Sequence, residues 1–209
     1  MNRPDLLRGA RRPPLPKQRR SRKRREAILR AAMVRFGREG YERASIRGIA
    51  REAKVATGAV YQFFGSKRDL LLVSMDCLLS RLGKVGAPSF GRGETVLPDL
   101  EKFVADVFAR ERPFVGVYRA WREAALTDET IAEHDRRVRA WSGARVRGLF
   151  ELFAGLPGAR ADLDRETLAL LWDRFFWNLL ANPPASRVRA ARSIAGTLYH
   201  TLFSDGTPG

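Results

Sequence analysis

The 209-residue chain carries 39 Lys and Arg against 23 Asp and Glu, a net charge of +16, and 44% of it is hydrophobic. That length buries a sizeable core without staples, and the single cysteine, Cys77, excludes an intramolecular disulfide and fits a reducing cytoplasm. No run approaches the roughly 18 apolar residues of a membrane helix, and Arg, Pro and Lys crowd the start where a signal peptide would be apolar.

The charge is an N-terminal property. Eleven of the first twenty-five residues are basic and only Asp5 is acidic, whereas residues 84–209 are nearly balanced. Such asymmetry points to a polyanion at one end of the molecule, with a solubilising tail as the alternative.

Residues 1–20 are rich in proline and lack apolar periodicity, so a disordered basic tail is expected. No later stretch sustains period-two alternation, and the chain reads as helical throughout. A first helix is predicted from about Ser21 to Arg38, with Ile28, Ala31, Ala32 and Phe36 on its inner side and Gly40 as a left-handed cap. Ser45 opens a two-turn helix carrying Ile49 and Ala50, and Ala56 to Phe63 form a third short one. Ser66 starts the fourth, with Asp69 three residues on in a variant of the capping box. The Gly-rich stretch 84–94 reads as a loop between two parts of the protein. Five helices follow: about 96–110; one opening at Pro113; a long one from Thr127 to the Gly155–Gly158 turn; one from Asp164 to Asn182; and one from Ser186. The expectation is an all-α fold of about nine helices, divided into tail 1–20, a three-helix domain 21–82 and a second helical domain 83–209.

Residues 45–64 make two short helices around the turn Ala53-Lys54-Val55, and Ile49, Ala53, Val55, Val60 and Phe64 can share a small core with the first helix. That is a helix-turn-helix, whose second helix enters the major groove. A groove about 12 Å wide requires the helix backbone to come close to the bases, and Thr57, Gly58 and Ala59 are small enough to allow it. A plain helical hairpin is the alternative, which Gly58 alone does not exclude.

The run GYERASIRGIAREAKVATGAVYQFFGSKRDLL, residues 40–71, resembles the DNA-binding domain of TetR-family transcriptional regulators. Phe36, Gly40, Tyr41, Ser45, Ile46, Ile49, Ala50, Ala53, Val55, Gly58, Val60, Tyr61, Phe64, Lys67 and Leu70 carry it in one ungapped register, and it extends over about residues 22–82. Three positions depart from the pattern: Lys54 where the turn usually has Gly, Ala56 where a Ser often caps the second helix, and Phe63 where His or Tyr is common.

The resemblance implies DNA-facing roles for Ser45, Arg47, Thr57, Gly58, Ala59, Tyr61, Gln62, Phe63 and Lys67. Their chemistry agrees: Ser45 and Lys67 lie at helix N-termini that can hold phosphates, and Tyr61 can donate its hydroxyl to one. Gln62 can pair with adenine, Thr57 can touch a thymine methyl, and Arg47 can reach a guanine or a phosphate. Because this reading face is sparse, backbone contacts and DNA shape are expected to carry much of the affinity. Residues 17–25 would add to it along phosphates or as a minor-groove arm.

For the second domain the resemblance implies a mostly apolar effector pocket, with Tyr118, Trp121, Trp141 and Trp172 chosen as its lining. The last two helices read as a homodimer interface: Ala190, Ala191, Ala195 and Gly196 allow close approach, while Trp172, Phe176, Leu198 and Leu202 supply bulk. No cofactor or metal is expected, and no enzyme: His134-Asp135 lacks an accompanying nucleophile elbow, metal-ligand pair or phosphate loop. The expected function is a cytoplasmic, ligand-responsive regulator, a repressor binding double-stranded DNA at a pseudo-palindromic operator as a homodimer. The alternatives are a non-specific or architectural nucleic-acid-binding protein driven by the tail, or a helical enzyme.

Overall fold

A computed structural model describes residues 3–7, 18–85, 96–111, 114, 116–182 and 184–203. Nine helices occupy them: α1 (Arg19–Arg43), α2 (Ile46–Glu52), α3 (Thr57–Phe63), α4 (Lys67–Leu82), α5 (Val96–Glu111), α6 (Val117–Ala124), α7 (Glu129–Ala154), α8 (Arg165–Ala181) and α9 (Arg187–Leu202). Among the described residues there is no strand, only an isolated bridge between Ala159 and Phe203. Most of the predicted 84–94 loop, and Pro113, lie outside the described residues.

Helix starts follow local chemistry. Ser45, Ser66, Asp164 and Ser186 each accept a first-turn N–H, from Gly48, Asp69, Thr167 and Arg189. Asp128 does the same for Thr130 and Ile131. Each cap is worth about 1 kcal/mol over alanine.

Two compact units divide the chain. One comprises Arg3–Ser80 with Pro113–Val138; the other comprises Met1–Asn2, Arg81–Arg112 and Arg139–Gly209. The predicted boundary at residue 83 therefore misplaces α6, which packs along α1. Gly116, at φ 87°, enters α6 so close to α1 that a Cβ there would fall on the Gly37 backbone. In this N-terminal unit Ile28, Ala32, Phe36, Ile49, Val60, Phe64, Leu70 and Leu71 are buried together with Val117 and Trp121.

The expected disorder over 1–20 does not hold where residues are described. Leu6 is fully buried, Arg3 pairs with Asp76, and α1 already begins at Arg19. One leucine supplies the apolar anchor that composition averaged over twenty residues conceals. The C-terminal unit is built on α5 against α9, with Leu100, Val104, Phe108, Phe150, Phe153, Ala195, Leu198 and Leu202 in its core.

Candidate functional site

The helix-turn-helix is assembled from the inside. Ser45 caps α2, and the chain then turns through Lys54, which adopts φ 56° in the left-handed region. A non-glycine there costs roughly 1 kcal/mol, which explains why glycine suits this position in related turns. The Val55 N–H closes the turn on the Ala50 carbonyl at 3.0 Å. Ala56 is the N-cap of α3 and makes no side-chain bond to it; Thr57 is the first helical residue rather than a substitute cap. Val60 and Phe64 anchor α3 from behind, and the Arg25 guanidinium lies 5.0 Å over the Phe64 ring.

The opposite face of α3 is open. Thr57, Gly58, Tyr61 and Gln62 are exposed, as are Ser45 and Arg47, while Ala59 and Phe63 are half-buried. Tyr61 is 54% exposed and so is not a core aromatic. A Cβ added at Gly58 would meet no atom within 4 Å. Among the described residues nothing requires glycine there, although glycine costs about 1 kcal/mol in a helix interior.

Lys67 is placed differently from the free phosphate clamp expected. Its Nζ donates to the carbonyls of Tyr41 at 2.9 Å and Glu42 at 3.2 Å and sits 4.3 Å over the Tyr41 ring. The reason is Gly40: its φ of 79° breaks α1, so the next N–H groups lose their helical acceptors. Glu123 on α6 replaces those acceptors, its carboxylate receiving the N–H of Tyr41 at 2.7 Å and of Glu42 at 3.1 Å. The short segment leading into α2 is thus held on its N–H side by Glu123 and on its carbonyl side by Lys67. Sequence reasoning missed Glu123; the only signal was Gly40, which announces orphaned N–H groups without saying what meets them.

Basic residues gather at the start of α1, where Arg19, Arg20, Lys23 and Arg24 are exposed and no acid occupies the first turn. Cations at a helix N-terminus are opposed by the dipole, so this arrangement favours an anion nearby. From Arg19 onward the basic run is helical, which rules out an extended arm for that part; Lys17 lies outside the described residues.

The C-terminal unit contains a cavity of about 340 Å³ walled by α5, α7, α8 and α9. Trp141 and Trp172 line it; Tyr118 and Trp121 do not. Trp121 is fully buried in the N-terminal unit, its Nε1 donating to Asp135 at 3.0 Å, and Arg122 donates to the same carboxylate at 2.9 Å. Periodicity marked Tyr118 and Trp121 as inward-facing but could not say into which core. Ser142, on the cavity wall, accepts the Trp177 indole N–H at 2.9 Å and donates to Asp173, whose carboxyl pKa is pushed up by burial.

Of the residues chosen as interface bulk, Leu198 and Leu202 are buried in the core, while Trp172 and Phe176 are half-buried on the cavity wall. The apolar side chains left exposed on α8 and α9 are Leu170, Leu171, Phe175 and Val188. Among the described residues no cluster of three or more His, Cys, Asp or Glu could hold a metal ion, and no helix is long and apolar enough to cross a membrane.

An all-helical protein with a tri-helical N-terminal helix-turn-helix is the class these features define. Residues 28–73 match the model of the bacterial regulatory proteins of the tetR family. It is 46% identical over 56 residues to the HTH-type transcriptional regulator HbdR of Aromatoleum sp. (strain CIB), covering 27% of this chain and 24% of HbdR. The chain spans between 24% and 60% of the length of the curated relatives it matches.

Solved structures share the fold over most of the chain. The SmeT–triclosan complex superposes with a TM-score of 0.65 at 18% identity, over 88% of this chain and 93% of SmeT. NalD, the secondary repressor of the MexAB-OprM multidrug efflux pump in Pseudomonas aeruginosa, gives 0.61 at 19% identity, over 90% and 100%.

Proposed function

We propose that this protein is a cytoplasmic, effector-responsive transcriptional repressor that binds double-stranded DNA as a homodimer. The observation that carries the reading is the outer face of α3. Thr57, Gly58, Tyr61 and Gln62 stand exposed beside a dense basic helix start, and Gly58 has no internal reason to be glycine. A helix lying in the major groove supplies that reason. Ser45, Arg47, Tyr61 and the start of α1 meet phosphates, Thr57 and Gln62 meet base edges, and Ala59 and Phe63 flank the contact. Lys67 acts indirectly, by fixing the carbonyls that lead into α2.

Two copies joined through the exposed apolar side chains of α8 and α9 present two such helices to a pseudo-palindromic site. The cavity takes a small, mainly apolar effector whose binding shifts the population of DNA-competent dimers. HbdR is a transcriptional regulator, NalD a repressor, and SmeT has been solved with triclosan, which supports the same reading for this chain.

Selection from a random duplex pool with the purified protein tests the proposal. Enrichment of two inverted half-sites about one helical turn apart is expected. Recovery of no shared sequence, with retention falling steeply in salt, would instead favour the architectural alternative.

A further inference from the structure

Resting on the reading of the cavity as an effector site, we propose that its ligand is an apolar molecule bearing one acidic group, and that Arg145 recognises that group. The wall is aromatic and aliphatic, with Phe103, Phe150, Phe176, Leu149 and the two indoles of Trp141 and Trp172. Beyond those indoles, two of the described lining side chains are polar, Ser142 and Arg145. The Ser142 hydroxyl is already committed to Asp173 and Trp177. Arg145 is therefore the charged group with which the described lining can meet a ligand.

Its guanidinium is held by neutral partners. It lies 5.3 Å over the Trp141 ring, and its Nη2 reaches the carbonyls of Val85 at 2.9 Å and Leu82 at 3.5 Å. Among the described residues none of the ion pairs supplies it with a carboxylate. A planar cation stacked on an indole at the edge of an apolar space offers a fork matched to a carboxylate, sulfonate or phosphate. Exchanging neutral carbonyls for an anion adds direct charge–charge attraction, and room for two parallel hydrogen bonds, to an interaction in which only the donor is charged. The competing explanation is that Arg145 only satisfies the carbonyls at the end of α4, as basic side chains do at helix C-termini.

Two fluorescent probes separate these readings. 8-Anilino-1-naphthalenesulfonate and N-phenyl-1-naphthylamine share one aromatic frame and differ by the sulfonate. Both should saturate the full-length protein, and Val146→Trp, which fills the cavity, should weaken both. Arg145→Met should weaken the sulfonate about tenfold or more while leaving the neutral probe within about twofold, as loss of a charge-assisted bond requires. Arg145→Lys should retain part of the preference, because it keeps the charge and loses the fork. Thermal melts of each variant check folding independently.

If Arg145→Met weakens both probes alike, or neither, the acid-recognition proposal is overturned and Arg145 is a helix-end contact. If neither probe saturates the wild-type protein, the effector-site reading fails, and the proposal with it.

Discussion

Position 58 separates folding from function at the level of one methyl group. Gly58→Ala meets no obstacle in the free protein and should raise its stability by up to about 1 kcal/mol in a urea titration. The same methyl on a groove-facing helix should weaken DNA binding by about 1 kcal/mol or more. Changes of the same sign in both measurements would remove the groove assignment. Two departures visible in sequence, Lys54 and Ala56, prove to be local costs: one residue in the left-handed region and one helix start without a side-chain cap. His134 was legible only as a residue without catalytic company. It is 6% exposed, and its Nδ1 meets no partner among the described residues. Burial and Arg137 push its pKa down, against the opposing pull of Glu133, Asp5 and Asp128. As pH falls below about 6.5 the unfolded chain takes up this proton first, so stability present above that pH is lost on the acid side. The urea midpoint should drop between about pH 7.5 and 5.5, and drop less in His134→Gln; equal slopes would show that the imidazole does not contribute.

Helix starts were readable because capping is local, with each donor three residues from its acceptor. The placement of α6 was not. It depends on a carboxylate meeting N–H groups some eighty residues earlier, and no periodicity records such a contact. The α1 break, Glu123 and Lys67 together orient the chain entering α2. Glu123→Ala leaves two N–H groups without their acceptor and should cost about 2 kcal/mol of stability. It should also reduce DNA affinity more than an exposed substitution of equal charge change, such as Glu129→Ala, because it frees the approach to α2. Equal affinity in the two variants, measured by fluorescence anisotropy, would assign Glu123 to stability alone.

At the scale of the molecule, composition correctly separated a basic end from a nearly neutral remainder, and helical periodicity gave the helix count. It could not distinguish a side chain buried in its own core from one that lines a cavity or meets a second copy, since all three read as apolar stripes. Leu198 and Leu202 looked like interface and are core, whereas Leu170 and Val188 remain outside. A basic helix start attracts any polyanion irrespective of sequence, so affinity alone does not distinguish a regulator from an architectural protein. The discriminating quantity is the ratio of affinities for the selected duplex and for a scrambled duplex of the same composition, at about 0.15 M salt. A sequence-reading α3 predicts a ratio of about 10³ or more, falling markedly in Gln62→Ala. A ratio near one, unchanged by that substitution, would contradict the account.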